Sequence, residues 1–270
     1  MRYELAIIGA GNMAEAIVRG ITAKGVLRPD QIIAADVVPQ RRGIFEQQLG
    51  VKAVTDNVEA SRQARTLLLS VKPQQMPIAL AGIGAAIEES TLIISIAAGI
   101  STSYIQTHLG GDKRWRIVRS MPNTPMLVGE GMVALAPGQH ATPQDIAAAR
   151  QWFEAAADVI EVDESKMDTV TAVSGSGPAY FFLLVEQMIK AGIELGLTRE
   201  QATKLATKTA AGAAKMLVQS NERPESLRKK VTSPGGTTQA AIIHLESLNW
   251  PAITVDAIKA AEKRGRELGS

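Results

Sequence analysis

The feature that most limits how this chain can fold is Gly9-Ala10-Gly11-Asn12-Met13-Ala14. It sits between the apolar run Leu5-Ala6-Ile7-Ile8 and a helical stretch that starts near Met13 and ends at Gly25. Four apolar residues without alternation predict a strand covered on both faces, as in a parallel sheet. A G-x-G-x-x-G/A spacing between such a strand and a helix is a phosphate-binding turn. The first glycine permits the turn, the second lets the backbone approach a pyrophosphate, and Ala14 lets the helix pack close to the strand. Amides at the helix start, and the helix dipole, supply the attraction for the anion. A glycine turn that holds no ligand is the competing reading.

The chain then alternates strand and helix. Ile32–Ala35, Val51–Val54, Leu67–Val71, Leu92–Ile96 and Ile117-Val118 continue the strand series, with Met132–Ala136 and Val159–Val162 as weaker members. Helices are expected over Pro39–Leu49, closed by Gly50, and from the Thr142-Pro143-Gln144-Asp145 start signal. This alternation predicts a Rossmann-type, doubly wound and mostly parallel sheet over residues 1–162. From Asp163 to Ser270 no strand is expected. Helices are predicted over Pro178–Leu195, from the capping box Thr198-Arg199-Glu200-Gln201 to about Ser220, and over Pro224–Lys230, Thr238–Leu248 and Pro251–Leu268. Residues 163–270 therefore read as an all-α second domain, giving an α/β protein with a helical C-terminal half.

Composition removes several functions. There is no cysteine, so disulfides, thiolate catalysis and Cys-based metal sites are excluded, and His108, His140 and His244 are too far apart for a local metal motif. A net charge of +2 and 4% aromatic residues offer neither the charge footprint nor the stacking surface of a nucleic-acid binder. No apolar run approaches the ~20 residues of a membrane span. The opening Met1-Arg2-Tyr3-Glu4 has no secretory pattern, so a cytoplasmic location is expected.

Candidate site residues cluster where open α/β sheets bind ligands, at the carboxyl ends of strands. Asp36 stands 22 residues after Ala14, placed to accept hydrogen bonds from adenosine ribose hydroxyls, which favours NAD; Arg41 and Arg42 follow and offer an offset for NADP. A plain turn or helix cap is the alternative for Asp36. Val71-Lys72-Pro73 ends another strand, and Lys72 is either a phosphate or substrate contact or a surface lysine. Met121-Pro122-Asn123-Thr124-Pro125 is either a site loop led by Asn123 or a structural turn.

In the helical half, Ser174-Gly175-Ser176-Gly177-Pro178 reads as a cap and flexible turn. Val231-Thr232-Ser233-Pro234-Gly235-Gly236-Thr237-Thr238 is richer: hydroxyls and glycines before a helix make a nest of donors suited to a small carboxylate, or else a bare capping loop. Tyr180-Phe181-Phe182-Leu183-Leu184-Val185 is apolar around a full turn, and Ala210-Ala211-Gly212-Ala213-Ala214 is smooth enough for close helix approach. About 110 residues cannot cover such a helix alone, so a homodimer through this half is expected; burial within one subunit is the alternative.

Taken together, "IGAGNMAEAI", "SVKP", "SIAAG", "RSMPNTP", "VTAVSGSGPAYFF" and "VTSPGGTTQAAI", in this order from Leu5 to the last helix, resemble the pyrroline-5-carboxylate reductase family. The resemblance implies reduction of 1-pyrroline-5-carboxylate to L-proline by NADPH or NADH, the last step of proline biosynthesis. It implies a helical domain interlocked in a dimer, with larger rings of dimers in some members. Cofactor contacts map onto Gly9, Ala10, Gly11, Asn12, Met13, Ala14, Asp36, Asn57, Val71, Lys72 and Pro73, with Ala97, Ala98 and Asn123 near the nicotinamide. Substrate contacts map onto Ser233, Gly235, Gly236 and Thr237, and Thr238 places its hydroxyl at the imine nitrogen. Many NADPH-preferring members carry Ser or Asn where this chain has Asp36, which argues against strict NADP use.

No His, Cys or Glu occurs in either glycine-rich motif. A substrate entering as a protonated iminium needs no strong protein acid, and Thr238 then orients the nitrogen. Two rival functions share the architecture. A hydroxyacid dehydrogenase needs a lysine or histidine for the alkoxide proton; none lies within Ser174–Tyr180 or Ser233–Thr238, and Lys190 is deep in a helix. A nucleotide-sensing module would bind dinucleotide without turnover.

Overall fold

A computed structural model describes residues 2–268. In chain order the first part is β1 (Tyr3–Ile8), α1 (Asn12–Ala23), β2 (Ile32–Ala35), α2 (Pro39–Leu49), β3 (Lys52–Val54), α3 (Asn57–Ser61), β4 (Ala64–Leu69), α4 (Met76–Leu80), α5 (Ile83–Ala86), β5 (Leu92–Ser95), α6 (Thr102–His108), β6 (Arg116–Pro122), β7 (Gly131–Pro137), α7 (Pro143–Phe153) and β8 (Ala157–Glu161). After α8 (Met167–Val170) come α9 (Gly177–Glu194), α10 (Arg199–Gln219), α11 (Pro224–Lys230), α12 (Thr237–Ser247) and α13 (Trp250–Leu268). All eight predicted strands form, and the long helices start and stop within a residue or two of their capping signals. At Thr198 the box closes as expected, and the expected cap at Thr142 is a second box: each threonine accepts the amide of the third helical residue, whose side chain returns to the threonine amide.

The eight strands make one sheet in the order β3-β2-β1-β4-β5-β6-β7-β8, parallel throughout except for the β6–β7 pair. Chain direction reverses its march between β1 and β4, where Leu5 to Ile8 register against Thr66 to Leu69. That crevice is the ligand position in doubly wound sheets. Alternate β1 residues feed opposite cores. Leu5 and Ile7 pack with Ile17, Ile21, Phe45 and Phe153, whereas Ala6 and Ile8 pack with Met76, Ile83, Ile105 and Trp115. Both faces are thus covered, which is why the strands are apolar without alternation.

The change to all-helical chain comes after Glu161, but packing divides the chain elsewhere. One compact unit runs to Ser176 and resumes at Ala261; the other is Gly177–Ala260. The segment after Asp163 stays with the sheet because Met167 is buried against Ala134 and Ala136, and because Arg119 on β6 is buried with Asp168 at 2.9 Å and Glu164 at 3.8 Å. Glu164 also accepts the Thr102 amide and hydroxyl. Neither ion pair has a sequence signal, since each joins residues more than forty apart. Arg119→Met leaves two carboxylates without their partner. We expect a loss of about 3 kcal/mol in stability, read by urea unfolding.

Gly177–Ala260 is helical throughout its regular structure. Gly192 of α9 lies against Ala202 of α10, where an added Cβ would sit 3.0 Å from the alanine methyl. Of its residues, all described, only Gly177, Ala202 and Ala206 are buried in the single chain. Phe181, Phe182, Leu183, Leu184 and Met188 are exposed on α9, and Met216, Leu217 and Val218 on α10.

Candidate active site

The glycine turn leaves β1 at the crevice. Gly9 has φ +95°, and a Cβ there would lie 2.7 Å from the Ser70 carbonyl oxygen and 2.9 Å from Val71 Cγ1. Only glycine fits both the backbone and the space. Gly11 differs: its conformation is extended (φ −74°, ψ −178°), and a Cβ would meet nothing within 4 Å. Its lack of a side chain keeps open space in front of α1. No side chain caps that helix, so first-turn amides face the opening without an intrahelical acceptor. Ala14 is fully buried at the position where close packing is needed. An uncapped helix start behind a bare glycine fits the pyrophosphate of a dinucleotide, whose reduced nicotinamide would supply the hydride.

A cleft here gathers Gly11, Asn12, Met13, Val71, Lys72, Pro73, Ala97 and Ala98, eight of the expected cofactor residues, from three strand ends. It adds Ser70, Ile96, Met121 and Pro122. Ser70 and Ile96 fall within the expected strands Leu67–Val71 and Leu92–Ile96 and directly follow the observed β4 and β5, and their place at a strand end was the available signal. Lys72 is exposed and makes no ion pair among the described residues.

Six expected cofactor residues lie outside the cleft lining: Gly9, Ala10 and Ala14 of the turn itself, and Asp36, Asn57 and Asn123. Asp36, at the end of β2, accepts the Ala10 amide at 2.7 Å and the Val38 amide at 2.8 Å. Asn57 opens α3, where Asp56 is the cap, and its amide group makes one long 3.5 Å contact to the Ala79 carbonyl. Asn123 is tied into the scaffold. It is 9% exposed; its Oδ1 accepts the Met132 amide at 2.9 Å and its Nδ2 donates to the Ser174 carbonyl and hydroxyl, both at 3.3 Å. This side chain ties β7 and Ser174 to the end of β6, and it is Met121 and Pro122 beside it that face the cleft.

The Ser174–Pro178 turn is corrected. Thr171–Gly175 is a turn of π-helix, closed by the Ser176 amide on the Thr171 carbonyl at 2.8 Å, and it runs on toward α9 without a loop. Gly175 presses on Met121, whose methyl would lie 2.6 Å from an added Cβ. Such widened turns are held by tertiary contacts and recur at functional sites.

In the helical unit, Ser233, Gly235, Gly236, Thr237 and Thr238 form one turn entering α12. Gly235 has φ +72°, and a Cβ on Gly236 would meet Ser233 Oγ at 2.6 Å. Gly236 is the N-cap and brings no side-chain acceptor, so the first amides of α12 stay available to an anion. The Gly235 amide is taken by the Gln239 side chain at 2.6 Å, a residue the motif reading did not include. Among the described residues no group of three His, Cys, Asp or Glu side chains is placed to hold a metal ion, and no helix is long and apolar enough to cross a membrane.

Charge is concentrated at the ribose side of the turn. Burial pushes the Glu15 carboxyl up, but hydrogen bonds and charge from Arg19 and Arg41 outweigh it and hold it below the ordinary glutamate value. Its stabilising contribution is therefore present above that ordinary value and is lost as pH falls through the lowered one.

Residues 164–268 match the family model for pyrroline-5-carboxylate reductase dimerisation, and residues 4–99 match that for coenzyme F420-dependent NADP oxidoreductases. The chain is 40% identical over 269 residues to the pyrroline-5-carboxylate reductase of Synechocystis, covering 100% of this chain and 99% of that one. The chain belongs to the pyrroline-5-carboxylate reductase family. A solved member of this family, from Coxiella burnetii, superposes with TM-score 0.90 at 36% identity over all of both chains. The Plasmodium falciparum pyrroline carboxylate reductase, solved with NADP bound, superposes with TM-score 0.88 at 28% identity, covering 99% of this chain and 98% of that one. The family's dimerisation region begins at residue 164, close to the change to all-helical chain, whereas the compact packing unit begins at Gly177.

Proposed function

We propose that this protein is an NAD(P)H-dependent oxidoreductase that reduces 1-pyrroline-5-carboxylate to L-proline, the last step of proline biosynthesis. The observation that carries the reading is an open, uncapped phosphate cradle in one unit and an equally uncapped hydroxyl-rich nest in the other, within a chain related to these reductases over its full length. In the reaction the imine carbon gains a hydride, the nitrogen ends as an amine, and the dinucleotide is oxidised. Ser233, Gly235, Gly236 and Thr237 hold the substrate carboxylate on the start of α12. Thr238, half-buried in the next position, orients the ring nitrogen, which arrives protonated. Gly9 to Ala14 hold the pyrophosphate, and Val71 to Pro73 with Ala97 and Ala98 form the cleft wall. Acceleration comes chiefly from fixing donor and acceptor at near-attack distance.

Residues 163–270 serve substrate binding and dimerisation in this reading. The subunits pair through the exposed α9 and α10 faces, and rings of such dimers extend the same plan. A cytoplasmic location rests on the cysteine-free composition.

The test is oxidation of NADH and NADPH with 1-pyrroline-5-carboxylate, set beside a panel of 2-hydroxy acids with the oxidised cofactors. Turnover of the imine supports the reading; turnover of a hydroxy acid alone, or binding without turnover, overturns it. Thr238→Ala should lower kcat/KM for the imine about tenfold to a hundredfold, with dinucleotide affinity retained in a fluorescence titration.

A further inference from the structure

We propose that Glu15 is a specificity-determining residue that makes this enzyme favour NADH, by holding Arg41 in an ion pair and so withholding it from the 2′-phosphate of NADPH. The inference rests on the dinucleotide reading of the cleft. Asp36 and Arg41 grip the same residue of the glycine turn: the carboxylate accepts the Ala10 amide and the guanidinium Nε donates to the Ala10 carbonyl. Both groups therefore stand at the end of β2, where doubly wound sheets place the adenosine ribose. A 2′-phosphate arriving there brings nearly two negative charges next to Asp36. It would need a free cation, and neither arginine is free. Arg41 Nη2 lies 2.8 Å from Glu15 Oε2, with both side chains about four-fifths covered (20% and 18% exposed). Arg42 Nη1 donates to the Asp36 carbonyl at 2.8 Å. Arg19 adds a second cation to Glu15 at 2.8 Å, which keeps that carboxylate ionised and in place. Of the two arginines after β2, which in sequence offer an NADP site, Arg41 is turned onto the glycine turn and Arg42 onto the backbone at the end of β2.

The experiment titrates full-length protein with NADH and with NADPH, without imine, following nicotinamide fluorescence, and repeats the titration with 5′-AMP and 2′,5′-ADP as competitors. Wild type should bind NADH at least about tenfold more tightly than NADPH, or 1.4 kcal/mol. Glu15→Gln should tighten NADPH about threefold to tenfold with little change in NADH, and the gain should shrink with added salt. Adding Arg41→Met to Glu15→Gln should cancel the gain, which separates a released guanidinium from a general change in the turn. Equal affinities in wild type, or a Glu15→Gln effect common to both dinucleotides, would overturn the inference while imine turnover keeps the reductase reading intact. If neither dinucleotide binds, the reductase reading fails and takes this inference with it.

Discussion

Gly9→Ala is expected to abolish measurable dinucleotide binding and to lower stability, whereas Gly11→Ala is expected to impair binding alone. At Gly9 the backbone has φ +95°, a conformation that costs an L-residue about 1–2 kcal/mol, and the new methyl meets the Ser70 carbonyl oxygen at 2.7 Å. The neighbour is sheet backbone and cannot turn aside as a side chain would. Relief requires β1 and β4 to part at the crevice, adding about 1–3 kcal/mol. A melting temperature lower by about 5–10 °C follows for a domain of this size. Dinucleotide affinity should fall at least about a hundredfold, because the amides beyond Gly9 move with it. At Gly11 the backbone suits any residue and the methyl enters open space, so melting should be unchanged while the methyl occupies the pyrophosphate approach. Calorimetry and fluorescence titration on both variants check this; wild-type affinity in Gly9→Ala would refute the placement of the pyrophosphate.

Phe182→Asp is expected to convert a dimer into a monomer whose helical unit is largely unfolded. Between Gly177 and Ala260 a single chain buries only a glycine and two alanines, so that unit has almost no core of its own. Burying one phenylalanine or leucine is worth about 1.5–3 kcal/mol, and those of α9 are mostly still in water. A second copy of the same surface is the reading that supplies the missing core. Such an interface is symmetric, so each substitution enters twice and its cost doubles. Light scattering should report a dimer for wild type and a monomer for the variant. Helical circular dichroism should drop, and imine reduction should fall more than about a hundredfold. A wild-type monomer at micromolar concentration with full helicity would defeat this account.

Much of the scaffold was legible because its signals are local. Unalternating apolar runs at Leu5–Ile8 and Leu92–Ser95, the boxes at Thr142 and Thr198, and Gly50 after α2 each act within a few residues. The backbone geometry of the glycine turn and of Ser233–Thr238 was legible for the same reason, since each is a run of backbone amides ordered by neighbouring residues. What depended on tertiary structure involves residues far apart in the chain. Asn123 reads in sequence as a contact near the nicotinamide, and the fold adds hydrogen bonds between its amide group and Met132 and Ser174. Ser174–Pro178 looked like a turn, yet contacts with Met121 and Asn123 accompany a π-helical turn in its first residues. Arg119 of β6 pairs with Asp168 in the compact unit that runs to Ser176, and Glu15 of α1 pairs with Arg41 of α2 beside Ala10. By itself the sequence determined the strands, the helices and the two amide-rich turns, since hydrogen-bonding propensity and apolar period act between near neighbours. Only the folded chain decided which side chains are spent on holding those turns, because that is settled by pairings whose partners the chain brings together only after it has packed.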